Sequence, residues 1–260
     1  MKPRVLQLFA AGVNCDRELE RAFELAGADV RPVHVHALID NPALVKECDL
    51  FAIPGGFTYG DDLGAGRILA LEVATHLKDA LVELHEAGGT LFGVCNGFQV
   101  LVKTGLLPGI DGARVSLTWN DTHRFECRWS RLVAAPSLDA ILPAGTILPA
   151  GTAHAEGKLV CDSPETLARL EAEGCVALRY ADENGQATRD YPHCPNGSDG
   201  AIAGLISPSG RILGLMPHPE RCLSPENLPD RGKASWGDGA AALDFFRGML
   251  APYGAASPAV

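Results

Sequence analysis

Apolar positions in the first half of the chain form two kinds of stretch, short continuous runs and longer segments with helical spacing. The continuous runs predict buried strands, and the helical spacing predicts amphipathic helices between them. Strands separated by helices of this size predict an α/β fold with a doubly wound, mostly parallel sheet. The predicted strands are residues 5–9, 30–35, 50–53 and 90–92, and the predicted helices are residues 16–26, 42–48, 68–87 and 98–102.

The second half of the chain has a different pattern, with alternating polar and apolar positions and frequent turn signals. Two apolar runs joined by a Ser-Pro-Ser-Gly turn predict a β-hairpin, and a last stretch of helical spacing predicts a final helix. No repeat or linker divides the chain, so we expect a single domain over residues 1–250 and a disordered tail. The hairpin is predicted at 201–206 and 211–216, the helix at 239–250, the tail at 251–260 and a surface insertion at 135–151.

Composition and charge narrow the classes of function. The 260-residue chain is 47% hydrophobic and 21% charged, which is typical of a globular protein with a substantial core. Its formal net charge of −10 argues against a surface that holds a phosphate backbone, so nucleic acid is not an expected partner. No stretch is apolar for long enough to be a signal core or a membrane span, which favours a cytosolic location and no membrane partner.

The eight cysteines indicate neither a disulfide framework nor a zinc site, because they are scattered and contain no C-x-x-C pair. His34 and His36 stand two apart in an apolar run. We expect them to face one way on a strand rather than to bind a metal ion. No metal site is therefore predicted.

The segment GVCNG at residues 93–97 predicts a nucleophile elbow. An apolar run precedes it and a helix-compatible run follows, so the cysteine stands at a sharp strand-to-helix turn that the flanking glycines permit. The helix that begins behind Cys95 directs backbone N–H groups and the positive end of its dipole toward the sulfur, which favours the thiolate. The alternative is a buried cysteine that acts only as a small hydrophobic residue.

A base and an orienting acid for this cysteine stand near the end of the second hairpin strand. His218 and Glu220 are two residues apart, with a proline between them that stiffens the loop. Gly55 and Gly56 follow the predicted third strand, and the carboxyl ends of parallel strands meet at one edge of a sheet. Their N–H groups, together with that of Asn96, are expected to form an oxyanion hole.

These residues resemble the class I, or triad, glutamine amidotransferases, and within them the glutaminase subunits of phosphoribosylformylglycinamidine synthases. Six motifs in the family order carry the resemblance, from the first strand to about residue 246. They are GGFTYGDDLGAG at 55–66, GVCNGFQ at 93–99, WNDTHRFE at 119–126, AHAEGK at 153–158, PNGS at 195–198 followed by IAG at 202–204, and MPHPER at 216–221.

The resemblance implies a flavodoxin-like fold and a reaction. Cys95 would attack the side-chain amide of glutamine to give a γ-glutamyl thioester and ammonia, with His218 as acid and base and Glu220 as its orienter. The implied partners are glutamine, a large synthetase subunit that uses the ammonia, and a small accessory subunit of the same complex. ATP and Mg²⁺ are expected on the synthetase, and no cofactor is expected on this chain, whose sequence contains no G-x-x-x-x-G-K-[ST] loop.

Gln99 stands one helical turn after Cys95, so its amide is expected beside the sulfur and in contact with glutamine. The resemblance places three more residues at the glutamine pocket, Thr122, Arg124 and Phe125, although Arg124 could instead form a surface ion pair. His154 and Glu156 suggest a second acid/base pair. Because the triad is complete without them, we interpret the AHAEGK segment as a structural or partner-facing loop.

Several positions depart from the family pattern without touching the triad, namely Thr58, Asp62, Gly64, Ala155 and Cys194. Three other functions remain as alternatives. One is a different triad amidotransferase or a stand-alone γ-glutamyl hydrolase, the second is a non-catalytic binding subunit, and the third is a redox-sensing cysteine protein.

Overall fold

The computed structural model describes residues 1–233 and 235–254, and these form an α/β fold. Along that part of the chain the strands are β1 Arg4–Phe9, β2 Asp29–His34, β3 Leu50–Ile53, β4 Thr90–Val94, β5 Val115–Thr118, β6 Glu126–Ala134, β7 Ile147–His154, β8 Lys158–Cys161, β9 Val176–Ala181, β10 Ile202–Ile206 and β11 Ile212–Leu215. The α-helices are α1 Asp16–Leu25, α2 Val35–Asp40, α3 Arg67–Glu72, α4 Lys78–Glu86, α5 Asn96–Lys103, α6 Pro164–Ala172 and α7 Ala240–Leu250.

One large sheet runs through the described residues in the order β2-β1-β3-β4-β11-β10-β9-β6-β7. The strands from β2 to β11 in this order pair in parallel, and those from β11 to β7 pair antiparallel. The predicted doubly wound, mostly parallel sheet is therefore confirmed, and so is the hairpin, which is β10 and β11. Strands β5 and β8 form a separate antiparallel pair.

Aromatic side chains bind α1 and α7 to the sheet. Phe23 of α1 lies edge-on to Phe92 of β4 and to Phe246 of α7, with ring centroids 6.0 and 5.2 Å apart. All three rings are fully buried. Each buried ring contributes about 1.5–3 kcal/mol through burial, and each edge-to-face pair adds about 0.5–1.5 kcal/mol. This cluster supports β4, the strand that leads to Cys95.

The long helix predicted at 68–87 has the expected extent but is not uniform. It consists of α3, a π-helical turn over Val73–Leu77, and α4. The short helix predicted at 42–48 is a 3₁₀ segment over Pro42–Glu47. Among the described residues, no helix is both long enough and apolar enough to cross a membrane.

The interpretation of the two early histidines is wrong. The chain leaves β2 at His34 and enters α2, where His36 lies. The Nδ1 atom of His34 caps this helix by accepting a hydrogen bond from the backbone N–H of His36, 3.2 Å away. The two residues therefore do not share a strand face.

The predicted surface insertion at 135–151 is also wrong. Strand β7 begins inside this stretch, and the side chains of Leu138, Leu142 and Leu148 are buried. A Cβ on Gly248 of α7 would lie 1.9 Å from the carbonyl oxygen of Ile141, so helix and stretch are in direct backbone contact. The stretch is therefore partly built into the core rather than inserted at the surface.

The predicted disordered tail overlaps a further helical turn, Ala251–Tyr253. The hydroxyl group of Tyr253 lies 2.7 Å from Oγ1 of Thr90 and 3.0 Å from the carbonyl oxygen of Gly88. Tyr253 is therefore placed against the start of β4. Residues 255–260 lie outside the described residues.

Candidate active site

Cys95 occupies the turn between β4 and α5 in a strained backbone conformation. Its φ is 53° and its ψ is −108°, a region that non-glycine residues rarely adopt. A hydrogen bond of 2.8 Å from its N–H to the carbonyl oxygen of Leu215 attaches the turn to the neighbouring strand β11. This is the predicted elbow, with the cysteine at the carboxyl end of the parallel strands.

The glycines on either side of Cys95 are required by close backbone contacts. A Cβ on Gly97 would lie 2.0 Å from the carbonyl oxygen of Ile53, and a Cβ on Gly93 would lie 2.6 Å from the carbonyl carbon of Gly97. Helix α5 can therefore approach the ends of β3 and β4 only because these positions have no side chain. The approach sets the depth at which Cys95 lies.

His218 and Glu220 come together just after β11. The backbone of His218 forms two hydrogen bonds with Gly151 of β7, of 2.7 and 3.1 Å, which fixes the loop. Its Nδ1 atom lies 2.5 Å from Oε1 of Glu220, and both side chains are buried. Burial alone would lower the pKa of His218, but the carboxylate of Glu220 and then the sulfur of Cys95 raise this pKa well above its usual value. The site therefore favours an imidazolium beside the cysteine.

The loop after β3 brings two glycines to the sulfur. A Cβ on Gly55 would lie 2.6 Å from Cε1 of His218 and 3.2 Å from Cβ of Cys95, so glycine leaves the space that these two side chains occupy. Gly56 forms an antiparallel bridge with Val13 in which the hydrogen bonds run from Phe57 N–H to Gly12 and from Asn14 N–H to Gly55.

This bridge does not use the N–H of Gly56. The N–H of Asn96, at the first residue of α5, has no acceptor within the helix. Gly56 and Cys95 line the same small cavity. Of the three predicted oxyanion-hole donors, Gly56 is the one that lines this cavity, and the oxyanion hole itself stays a prediction.

Gln99 lies where it was predicted, in the wall of the cavity that contains Cys95. Its amide, however, is engaged at both ends. Nε2 donates to the carbonyl oxygen of Glu156 over 2.6 Å, and Oε1 accepts from Nδ2 of Asn96 over 2.9 Å. Oδ1 of Asn96 in turn accepts from the hydroxyl of Thr58 over 2.6 Å. The geometry gives Gln99 a clear role in joining α5 to the loop after β7.

The structure does not bring Thr122 and Arg124 into the wall of this cavity. The hydroxyl of Thr122 donates to Glu126 over 2.9 Å, and the side chain of Arg124 is exposed. Phe125 is half exposed, and its ring lies 6.2 Å from that of Phe57, which does line the cavity. Of the three residues, Phe125 is thus the one at the rim.

The surface ion pair considered for Arg124 is absent among the described residues. Its two candidate acids bind other cations, Asp121 pairing with Lys158 over 2.6 Å and Glu126 with Arg128.

The AHAEGK segment lies in the active site, which the sequence interpretation missed. Residues 153–156 line the cavity, and the carbonyl oxygen of Ala153 is 3.9 Å from the sulfur of Cys95. Oε2 of Glu156 accepts from the N–H of Ala65 over 3.3 Å, and Asp61 lines the same cavity. The sequence carried no local signal for this position, because β7, the strand that leads to the motif, was not predicted.

Cys15 is a second residue that sequence reasoning missed. It precedes α1 at the same sheet edge, and its buried sulfur lies 2.9 Å from Nη2 of Arg221. A Cβ on Gly55 would be 3.4 Å from this sulfur. Within residues 1–233 and 235–254, no group of three or more His, Cys, Asp or Glu side chains could hold a metal ion.

Known proteins resemble this chain over most of its length. A family described as the CobB/CobQ-like glutamine amidotransferase domain matches residues 2–251. The phosphoribosylformylglycinamidine synthase subunit PurQ of Dehalococcoides mccartyi is 44% identical over 246 residues, covering 92% of this chain and 94% of that protein. The human phosphoribosylformylglycinamidine synthase is 36% identical over 86% of this chain, which corresponds to 18% of that longer protein. A chain of the solved structure of PurLQS from Thermotoga maritima superposes with a TM-score of 0.70 at 28% identity, covering 97% of this chain and all of that one.

Proposed function

Because this chain belongs to the family of CobB/CobQ-like glutamine amidotransferases, we propose that it is the glutaminase subunit of a phosphoribosylformylglycinamidine synthase. The observation that carries the proposal is the meeting of Cys95, His218 and Glu220 at the carboxyl edge of the sheet. An elbow cysteine, a buried histidine and a carboxylate bonded to the far nitrogen of that histidine form a unit for acyl transfer.

The reaction follows from the positions of these groups. With His218 holding the proton, the sulfur of Cys95 attacks the side-chain amide carbon of glutamine, and the carbonyl oxygen becomes an oxyanion. The N–H groups of Gly56 and Asn96 are the donors we assign to that oxyanion. His218 then donates its proton to the amide nitrogen, the C–N bond breaks, and ammonia leaves a γ-glutamyl thioester on Cys95.

Hydrolysis of the thioester restores the enzyme. His218 is neutral after ammonia has left, and it removes a proton from a water molecule that attacks the thioester carbon. Collapse of the second tetrahedral intermediate releases glutamate and returns the Cys95 thiolate beside a protonated His218. Glu220 remains ionised throughout and stabilises the imidazolium each time it forms.

We propose that the ammonia passes to a synthetase subunit, which converts formylglycinamide ribonucleotide to formylglycinamidine ribonucleotide. The relatives named as PurQ are subunits, and the Thermotoga maritima chain comes from a complex named PurLQS, which supports such a partner. ATP and Mg²⁺ are assigned to the synthetase in this proposal, and the reaction is placed in the cytosol.

The test is a Cys95→Ala variant assembled with the synthetase partner. Glutamine-dependent synthesis should disappear because no thioester can form, while synthesis from added ammonium salts should stay within about twofold of wild type. Cys127→Ala, which removes an exposed cysteine, is the matched control and should leave both activities unchanged. Glutamine-dependent synthesis that survives in Cys95→Ala would refute the proposed function.

A further inference from the structure

His154 is a buried histidine in the wall of the cavity that contains Cys95. It is the last residue of β7, and its ring lies against Gly157, where a Cβ would be 2.1 Å from Cε1. Glycine at 157 therefore leaves the space for this ring. The triad does not use His154, so its presence in the cavity needs its own explanation.

The hydrogen bonds of Asn120 determine which ring nitrogen of His154 carries the proton. Nδ2 of Asn120 donates to the carbonyl oxygens of Arg124 and His154, over 3.0 and 2.8 Å. Oδ1 of Asn120 must then face donors, and it accepts from the N–H of Gly157 over 3.2 Å. Since Nδ1 of His154 lies 3.1 Å from the same oxygen, Nδ1 is the protonated nitrogen. Nε2 therefore presents a lone pair.

This lone pair has no hydrogen-bond partner among the described residues. Burial, and after it the positive charge of His218, lower the pKa of His154 to about 3. The imidazole therefore stays neutral at working pH and remains an acceptor. A buried acceptor without a partner is unfavourable, and a phenylalanine would fill the same space without that cost.

We propose that Nε2 of His154 accepts a hydrogen bond from the side-chain amide N–H of bound glutamine and so selects the amide over the carboxylate. The inference rests on the proposed function, since it assigns a substrate contact at that same site. Glutamine presents two N–H donors at its reacting end, whereas the product glutamate presents only oxygen lone pairs there. A neutral acceptor nitrogen therefore binds the amide N–H of glutamine and repels the carboxylate oxygens of glutamate. It also holds the leaving nitrogen in one orientation for protonation.

The experiment compares an amide with an ester in the assembled complex. Glutamine and the γ-methyl ester of glutamate give the same thioester, but the ester has no N–H at the reacting end. In His154→Phe, kcat/KM for glutamine should fall about tenfold or more relative to kcat/KM for the ester, the loss expected for one hydrogen bond. His154→Gln, which can again present an acceptor oxygen, should recover part of the ratio.

A purely structural role predicts equal losses on both substrates, and an unchanged amide-to-ester ratio in His154→Phe would overturn the inference. His85→Phe is the matched control, because His85, on α4, also has a buried ring nitrogen for which residues 1–233 and 235–254 provide no hydrogen-bond partner. Ammonia-dependent synthesis reports assembly of each variant. A wild-type complex that does not hydrolyse glutamine would instead refute the proposed function.

A second measurement leaves His154 unchanged. In a Cys95→Ala complex with ¹⁵N-labelled histidine, binding of glutamine should move the Nε2 resonance of His154 upfield as the hydrogen bond forms, and glutamate should not produce this shift. Saturation with glutamine and no shift at Nε2 would also overturn the inference, even where His154→Phe fails to assemble.

Discussion

Replacement of Glu220 by glutamine separates the charge of this residue from its hydrogen bond. Oε1 of Glu220 lies 2.5 Å from Nδ1 of His218, whereas Oε2 is buried without a hydrogen-bond partner among the described residues. Because no hydrogen bond from the described residues holds Oε2, the amide of a glutamine at this position can direct its oxygen toward Nδ1 of His218 and place its NH₂ group where Oε2 lies. Glu220→Gln should therefore keep the N–H···O bond and lose only the negative charge.

The expected magnitude follows from this geometry. A hydrogen bond to a charged group contributes about 1.5–3 kcal/mol and a neutral one about 0.5–1.5 kcal/mol, and the new NH₂ group is buried without an acceptor. A loss of about 1–3 kcal/mol lowers kcat for glutamine by about 5- to 150-fold. Glu220→Ala leaves Nδ1 of His218 without any partner and should cost more, about 10²- to 10⁴-fold, as when one member of a buried pair is removed.

The pH dependence supplies an independent readout. Glu220 raises the pKa of His218, so its charge favours the imidazolium that the attacking thiolate needs. Without that charge, burial lowers this pKa, and the basic limb of kcat/KM for glutamine should move to lower pH. Glu18→Gln is the matched control, because Glu18 is a more exposed carboxylate 3.8 Å from Arg221, and it should leave both kcat and the profile unchanged.

The assay is glutamate release by the assembled complex from pH 6 to 10, with ammonia-dependent synthesis as the control for folding. If Glu220→Gln were as inactive as Cys95→Ala while still supporting ammonia-dependent synthesis, the amide would not be presenting its oxygen to His218. The reasoning from the unpartnered oxygen would then be wrong.

Three further predictions concern stability, each measured by urea unfolding of the isolated chain. Gly97→Ala should lower the free energy of unfolding by about 3 kcal/mol, because its Cβ would lie 2.0 Å from the carbonyl oxygen of Ile53. Gly151→Ala, whose Cβ has its nearest contact at 3.6 Å, should lower it by less than about 1 kcal/mol. Equal effects of the two substitutions would contradict the close approach of α5 to β3. Thr58→Val should cost about 1–3 kcal/mol by removing the buried hydroxyl that donates to Asn96, while Thr58→Ser should retain most of the stability, and a neutral Thr58→Val would count against the bond. His154 has a pKa of about 3 in the folded chain and an ordinary pKa near 6.5 in the unfolded chain, so only the unfolded chain gains this proton as the pH falls below 6.5. The free energy of unfolding of wild type should therefore fall by about 1.4 kcal/mol from this group between pH 7.5 and 5.5. An equal fall in His154→Gln would disprove this prediction.

Much of the fold could be predicted because its elements are local and strongly patterned. Strand β4 and helix α5 follow from an apolar run, two glycines and helical spacing, and the parallel order then places their junction beside the loop after β3. The same logic brought His218 to Cys95 across 123 positions of sequence. What failed was local: apolar spacing alone cannot distinguish the end of β2 from the start of α2, and Pro/Ala/Gly content cannot distinguish an exposed loop from close backbone packing.

The failure to predict the other site residues has a different cause. Residues 153–156 line the cavity that contains Cys95, and Cys15 lies near it beside Gly55. Both follow strands whose order in the sheet the sequence did not reveal, so nothing local indicated that they lie close to Cys95. The AHAEGK segment combines residues with a structural role and a residue that lines the active-site cavity. Gly157 and Asn120 hold the ring of His154 in place, while His154 itself lines the cavity that contains Cys95. From sequence alone such a motif is interpreted as structural. The structure distinguishes the two ring nitrogens, since Nδ1 of His154 bonds to Asn120 and Nε2 has no partner among the described residues.

Gln99 was expected to contact substrate, and that expectation stays a prediction, but the structure adds a second role because its amide is also held by the protein. Its amide joins Asn96 to the carbonyl oxygen of Glu156, and Thr58 fixes the other end of the Asn96 side chain. Asn96 also provides the N–H that we assign to the oxyanion. We therefore expect the orientation of that N–H to depend on a clamp of three buried side chains, two from α5 and one from the loop after β3, which also bonds to the backbone of Glu156. A change in either loop can then alter catalysis without touching Cys95 or glutamine. The hydroxyl at position 58 is what this clamp requires, which explains why threonine can stand where serine is commoner.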